Sequence, residues 1–349
     1  MIDIRKYGYD GNTDPNDLKE PIARVITVYR NRYETICRYG NVFAQVKTAV
    51  YYGSNEEYPI VGDFVRLQYE KNGDSLIVET FPRKSFFSRR DPGPRPNEQA
   101  IVANFDTVFI MTSLNNDFNI GRLERYLTTA NQSGATPVII LSKSDLVEEY
   151  DTKVELLKQK FFGVDVVAVS TITRDGLVNL HSYLKSGKTV VFLGSSGVGK
   201  SSLLNALAGE EIMNVNTIRE DDSRGRHTTT TRHLIMLPSG AMVIDTPGMR
   251  VLGMWDVSEG LSSAFPDVDE ILLRGCRFSD CSHKTEPGCV IKDALETGEL
   301  SKDRWNSYVK LMNEAQYTES RTDFMNRKWQ KNKEIAKYTK NLKKNKKYS

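Results

Sequence analysis

The sequence predicts a multidomain α/β protein: a small antiparallel β-barrel, then a parallel sheet layered with helices, then a short helical segment. Three observations carry this. Residues 23–82 alternate apolar and polar positions with period two, broken by Gly and Asn turns. Residues 106–193 alternate short apolar runs with longer amphipathic ones. Beyond residue 257, three cysteines and a histidine crowd into fourteen positions.

The 349 residues, 39% hydrophobic and 27% charged, suit a globular chain of two or three domains. No apolar run approaches the ~20 residues of a membrane span. Met1-Ile2-Asp3-Ile4-Arg5-Lys6 lacks the basic-then-apolar order of a leader, so a cytoplasmic monomer with no membrane partner is expected. The net charge of +3 is uneven: residues 327–347 hold ten Lys or Arg against Glu334 alone, which leaves −6 on the rest. That tail fits a polyanionic partner and a solvated terminus equally well.

In chain order, residues 1–22 are polar with Gly8, Gly11 and Pro15 as breakers, and read as an arm. Residues 23–85 follow as a barrel. Arg32–Tyr39, Val42–Val46, Phe64–Glu70 and Ser75–Thr80 alternate between the turns Gly40-Asn41 and Lys71-Asn72-Gly73-Asp74. About five short strands of this kind suggest an OB-type β-barrel, a fold that serves both nucleic-acid binding and purely structural roles. Tyr33, Tyr39, Phe43 and Tyr69 fit base stacking or core packing. Pro92, Gly93, Pro94 and Pro96 mark residues 86–98 as a linker.

Residues 99–256 form the α/β domain. Asp106–Thr112, Pro137–Leu141, Asp165–Val169 and Val190–Leu193 read as buried strands, and Ile120–Ala130, Val154–Phe162 and Leu177–Leu184 as helices. Such sheets bind ligands at the C-terminal ends of their strands. The last strand runs into Gly194-Ser195-Ser196-Gly197-Val198-Gly199-Lys200-Ser201, then Ser202 and a helix. G-x-x-x-x-G-K-S between strand and helix is a phosphate cradle, with Lys200 for the β- and γ-phosphates and Ser201 for Mg²⁺.

The strand ending at Leu141 runs into Ser142-Lys143-Ser144-Asp145. A fixed carboxylate accepts from both N1–H and N2–H of guanine, so Asp145 selects that base, and the stem of Lys143 lies along it. Adenine would leave the carboxylate unpaired. Ser170 and Thr171, at the next strand end, offer backbone N–H groups to the guanine O6. Asp245-Thr246-Pro247-Gly248 ends another strand: Asp245 would hold Mg²⁺ through water, and the Gly248 amide would sense the γ-phosphate. Arg224–Thr231 between them suits a switch, with Thr229 completing the Mg²⁺ shell.

Phosphate loop, switch threonine, D-x-x-G and K-x-D resemble the motif set of GTPases. Here the base-reading Asp145 precedes Lys200, a circularly permuted order that close termini permit. With the Arg-His-Thr-Thr-Thr run, the preceding barrel and the Cys/His cluster, residues 23 to about 310 resemble the small-ribosomal-subunit biogenesis GTPases, the RsgA or YjeQ family. The full expectation is an OB-type β-barrel, a central circularly permuted P-loop GTPase domain and a C-terminal helical zinc-binding domain. The resemblance implies GTP hydrolysis in late maturation of the small (30S) subunit, with 16S rRNA contact and stimulation by the subunit.

Two positions depart from the usual pattern. Ser142 stands where Asn or Thr is usual, keeping a hydroxyl but losing reach. Met249 follows D-x-x-G where many GTPases carry a water-orienting Gln. His227 in the switch is a candidate to supply the missing catalytic group, or a solvent-facing or RNA-contacting histidine.

Cys276-x4-Cys281-x-His283-x5-Cys289 supplies three thiolates and an imidazole, a complete tetrahedral Zn²⁺ set with no open position, hence structural. Residues 257–320 therefore form a small metal-dependent helical domain, and 321–349 the basic tail. Two other functions share these residues: a P-loop metabolite kinase with an appended barrel, and an RNA-binding protein that holds GTP as a structural ligand.

Overall fold

Period-two alternation between residues 22 and 80 becomes five strands: β1 (Ile22–Val28), β2 (Tyr33–Cys37), β3 (Gly40–Val46), β4 (Phe64–Gln68) and β5 (Ser75–Thr80). The computed structural model describes residues 1–11, 19–30, 32–47, 57–90, 98–115, 118–195, 197–212, 232–245, 264–278, 281–284 and 286–313. They divide into two units, one drawn from Met1–Phe87 and Ala100–Val251, the other from Ser88–Gln99 and Leu252–Ser349.

In the first unit β1 pairs with both β2 and β4, β2 with β3, β3 with β5 in parallel, and β5 with β4. That circuit closes a five-stranded barrel of the OB type. Ala23, Val25, Cys37, Val65, Leu67 and Ile77 fill it. Tyr33 joins this core, while Tyr39 and Phe43 face solvent. Tyr39 packs on Tyr69 with centroids 4.3 Å apart, and the Arg32 guanidinium lies 3.8 Å from the Phe43 centroid. The arm is less irregular than its breakers predict. Ile4–Tyr7 form a one-turn 3-10 helix capped by Asp3, and Ile4 is buried.

The α/β part supplies β8 (Thr107–Ser113), α1 (Ile120–Gln132), β9 (Thr136–Ser142), α2 (Asp151–Lys160) and β10 (Asp165–Val169). Then follow β11 (Thr189–Gly194), α3 (Lys200–Ala208), β12 (His233–Met236) and β13 (Met242–Asp245). Strands β10, β9, β8, β11 and β13 lie side by side in parallel. Leu203 and Leu204 of α3 pack on Phe109, Val138, Val190 and Val243. The helix expected at Leu177–Leu184 is a 3-10 turn, Leu177–Leu180, continued by i→i+3 bonds such as Leu184 N–H to His181 O at 3.2 Å. Leu180 and Leu184 are buried here and Leu177 and Tyr183 pack partly against the same core, while Asn179, His181 and Ser182 are exposed.

The sequence separates barrel and α/β part; the structure fuses them. Strand β12, antiparallel to β13, also pairs with β1 through Thr27 and His233. One eleven-stranded order therefore runs β10-β9-β8-β11-β13-β12-β1-β2-β3-β5-β4. A register shift between Val25 and Thr27 bends β1 so that it serves three neighbours. Fully buried Arg24 clasps the joint. Its guanidinium donates to Tyr7 O (2.5 Å), Asn104 O (2.6 Å), Thr189 Oγ1 (2.9 Å) and Gly62 O (3.3 Å). Burial pulls its pKa down to about 10, against the opposing pull of Asp106 and Asp63.

The expected linker is partly regular: β6 (Phe86–Arg90) and β7 (Glu98–Ala103) pair as a ribbon. Its prolines begin only at Pro92, beyond β6, and end at Pro96, before β7.

The second unit holds α4 (Pro266–Leu273), α5 (Val290–Thr297) and a helix over 302–313, here α6. Arg304 of α6 is buried, stacks 4.0 Å from the Phe265 centroid, and binds Asp267 by two contacts of 2.7 and 2.9 Å. Burial pushes the Asp267 carboxyl up, but the Arg304 guanidinium outweighs it and holds the group below its usual value.

Candidate nucleotide and metal sites

Parallel register sets the C-terminal ends of the five α/β strands along one rim. Ser142 aligns with Val169 on one side and Ser113 on the other, while Gly194 aligns with Met111. Val191 aligns with Ile244, so Asp245 stands one residue further along, beside the strand that feeds the phosphate loop. Base-side and phosphate-side segments, distant in sequence, thus share one edge.

The loop is shaped by its glycines. A Cβ on Gly194 would come within 2.6 Å of Met111 O, and Gly199 has φ 99°, favoured only for glycine. Val198 is buried in the core and pins the loop. Lys200, first residue of α3, folds its ammonium back onto Gly194 O (2.8 Å) and Ser195 O (2.6 Å). Ser201 and Ser202 are half-buried in the first turn of α3. Ser196 lies outside the described residues.

Ser142 reaches further than its size suggests. Its buried hydroxyl donates to Val198 O at 2.6 Å, joining base segment to phosphate loop, and a Cβ on Gly199 would sit 3.9 Å from Ser142 Oγ. The close approach of the glycine loop makes up for the short side chain. Lys143 follows with φ 60°, and Ser144 is buried in a 3-10 turn, Ser144–Leu146. Asp145 is exposed at the rim.

Ser170 takes a role that the sequence did not indicate. Its hydroxyl donates to Asp145 Oδ1 at 2.6 Å and accepts from Ile172 N–H (3.2 Å) and Thr173 N–H (3.1 Å). Its own amide donates to Asp175 O at 3.0 Å. The Ser170 amide expected to meet a base oxygen is therefore engaged within its own loop, and the Ser170 hydroxyl holds the Asp145 carboxylate instead. Thr229, His227, Gly248 and Met249 lie outside the described residues.

In the second unit, the donor atoms of Cys276, Cys281, His283 and Cys289 all fall within 4.8 Å of one another. His283 Nδ1 lies 3.5, 3.7 and 3.4 Å from the three sulfurs. A tetrahedral ion with Zn–S and Zn–N bonds of ordinary length separates N from S by roughly 3.5 Å. The donor set therefore fits zinc bound through Nδ1. Burial, then the neighbouring Cys276 and Cys289 thiols, push the Cys281 thiol up to about 11, so thiolates packed this closely call for a cation. Glu286, unnoticed in the sequence, clamps the loop around His283: it accepts from Ser282 N–H (3.0 Å), Ser282 Oγ (2.6 Å) and Lys284 N–H (3.1 Å). The edge of one ring packs on the face of the other where His283 meets Trp305 of α6, 5.7 Å away.

Base-side strands that precede the phosphate-loop strand in the chain, yet flank it in one parallel sheet, define a circularly permuted P-loop GTPase. Comparison agrees. A family model described as RsgA GTPase matches residues 80–255. "Small ribosomal subunit biogenesis GTPase RsgA 2" of Listeria monocytogenes is 46% identical over 296 residues, 84% of each chain. A relative in Methanosarcina acetivorans, "Small ribosomal subunit biogenesis GTPase RsgA", is 42% identical over 266 residues, 76% of this chain and 72% of that one. Among solved structures, YjeQ from Thermotoga maritima superposes with a TM-score of 0.65 at 29% identity, covering 84% of this chain and 98% of that one. YloQ, titled a circularly permuted GTPase, gives 0.61 at 28%, covering 85% and 95%. The chain belongs to the RsgA GTPase family, and its activity is GTP hydrolysis.

Proposed function

We propose that this GTPase acts in the cytoplasm, as a monomer, on the small (30S) ribosomal subunit late in its maturation. On this reading it contacts 16S rRNA and hydrolyses GTP faster when the subunit is bound. The relatives' names point to small-subunit biogenesis. The observation that carries the reading is a guanine-type rim, Asp145 braced by Ser170, in a sheet continuous with an OB-type barrel that exposes Tyr39 and Phe43.

Within the site, Asp145 reads guanine N1–H and N2–H, Lys143 covers the base, and Thr171 serves O6. Ser142 and Ser144 set the segment's shape. The amides of residues 194–202 and the Lys200 ammonium hold the phosphates. Ser201 and Asp245 would hold Mg²⁺, with Thr229 and Gly248 completing the γ-phosphate side. The ion supplies charge neutralisation at the phosphates. His227 is the candidate to orient water, since Met249 has no polar group. Cys276, Cys281, His283 and Cys289 would bind a structural Zn²⁺.

The test is GTP turnover alone, with purified small subunits, and with large subunits. Stimulation by small subunits only, lost in Lys200→Ala, is expected. Unchanged turnover would remove the ribosomal part of the reading and leave the GTPase. ATP turned over as fast as GTP would mean that the Asp145 rim does not select guanine.

A further inference from the structure

In the Cys₃His group of the second unit, backbone bonds place the cysteines. The Arg277 amide donates to Gly288 O at 3.0 Å, which sets Cys276 beside Cys289. Cys289 is buried and caps the start of α5. The Cys281 amide closes a tight turn on Phe278 O at 3.3 Å. His283 sits in the loop between these segments, and its own conformation is a costly one. Its φ is 59°, the left-handed region that a β-carbon disfavours. Left to itself, such a residue relaxes to negative φ and carries its imidazole with it.

Glu286 opposes that relaxation. One of its carboxylate oxygens accepts from Ser282 N–H (3.0 Å) and Ser282 Oγ (2.6 Å), the other from Lys284 N–H (3.1 Å). The amides on both sides of His283 thus converge on one side chain. The amide of His283 itself donates to the Cys281 sulfur. Glu286 lies outside the group of donor atoms that fall within 4.8 Å of one another, so its carboxylate serves the loop rather than an ion.

The ring is fixed separately. Trp305 of α6 meets the imidazole at 5.7 Å with the ring planes 83° apart. Trp305 is stacked on Tyr308 (5.6 Å, 18°), whose ring in turn meets buried Phe265 at 5.6 Å. The indole cannot swing aside without disturbing that row. Held against it, the imidazole keeps Nδ1 turned to the three sulfurs.

We propose that Glu286 and Trp305 are positioning residues for the metal centre. Glu286 holds the backbone of His283 in its left-handed turn, Trp305 holds the ring, and the ion is therefore taken through Nδ1. This rests on the reading of Cys276, Cys281, His283 and Cys289 as a zinc site.

The test uses the full-length protein, with Co²⁺ as an optical probe and Zn²⁺ as its competitor. Glu286→Ala is expected to lower Zn²⁺ affinity about 10- to 100-fold, as losses of such outer partners do. At saturating Co²⁺ its absorption bands should stay where the unaltered protein has them, since the four ligands are unchanged. Glu286→Gln, which keeps an acceptor for one amide, should fall between. With ¹⁵N-labelled histidine, Trp305→Ala should show metal on Nε2 as well as Nδ1, while Trp305→Phe keeps Nδ1 alone. GDP affinity should be the same throughout. Zn²⁺ affinity of Glu286→Ala within about twofold of the unaltered protein would overturn the proposal. So would Nδ1 ligation alone in Trp305→Ala. Shifted Co²⁺ bands in Glu286→Ala would make Glu286 a ligand and overturn it too. An unaltered protein that binds neither ion would instead remove the zinc reading itself, and the proposal with it.

Discussion

Asp145 stands exposed at the end of β9, yet its orientation is not left to solvent, because Ser170 from the neighbouring strand end holds one of its oxygens. On the proposed reading, a carboxylate with one oxygen fixed presents a defined face to the two guanine donors. Asp145→Asn replaces an acceptor by a donor at that face. GTP affinity is expected to fall by on the order of a hundredfold, since hydrogen bonds to charged groups contribute about 1.5–3 kcal/mol. Xanthine carries a carbonyl where guanine carries its amino group, so the same variant should gain affinity for XTP. Competition binding with both nucleotides reads this, and unchanged GTP affinity would mean that the carboxylate does not read the base. The residue types at this rim were legible from the chain because strand, turn and motif are local. Ser170's hydroxyl was not, since its partner lies 25 residues away and only the parallel register of β9 and β10 brings them together.

Elements are joined by contacts that sequence patterns do not record. The five barrel strands were legible from alternation, but β12 was not: His-Leu-Ile-Met offers too few residues to show a period. Its place between β13 and β1 follows from tertiary pairing alone. The buried guanidinium of Arg24 holds this joint together through four oxygen acceptors. Arg24→Met keeps the bulk but strands Tyr7 O and Asn104 O, while Gly62 O keeps the Asn104 side-chain amide at 3.1 Å, and is expected to destabilise the first unit by roughly 3–5 kcal/mol. Denaturant unfolding measures it, and a loss below ~1 kcal/mol would show that water replaces the guanidinium.

In the second unit, α4, α5 and α6 surround a small core, so the Cys₃His set is expected to supply much of the folding free energy, on the order of 10 kcal/mol for such sites. A chelator should therefore abolish the helical signal of residues 264–313 and shift the emission of Trp305, while GTP binding persists. The cysteine spacing announced this centre because metal ligands crowd in sequence. Glu286 stayed hidden, as a lone acid carries no spacing signal.

At the scale of the whole molecule, charge and sheet geometry pull apart. The net +3 conceals a strongly basic 327–347 segment on an otherwise acidic chain. If that segment meets RNA phosphate on the small subunit, each neutralised phosphate steepens the dependence of log K on log salt by roughly 0.7–0.9. Ending the chain at residue 326 should flatten that slope by several units, as measured by subunit binding across a salt series; an unchanged slope would assign the RNA contacts elsewhere. The fused sheet has a consequence for the order in which the chain is made. Arg24 emerges early from synthesis, but Thr189 and Met242, which meet its guanidinium, lie 165 and 218 residues later. At about 5–20 residues per second, a nascent barrel waits roughly 10–40 s before its last polar partners arrive. Until then the chain holds a charged side chain that it cannot yet bury with its partners, and the barrel's first strand lacks its β12 neighbour. The first unit therefore completes its fold only once its far end has been synthesised, and fragments ending before residue 242 should stay open at β1, exposed to proteases.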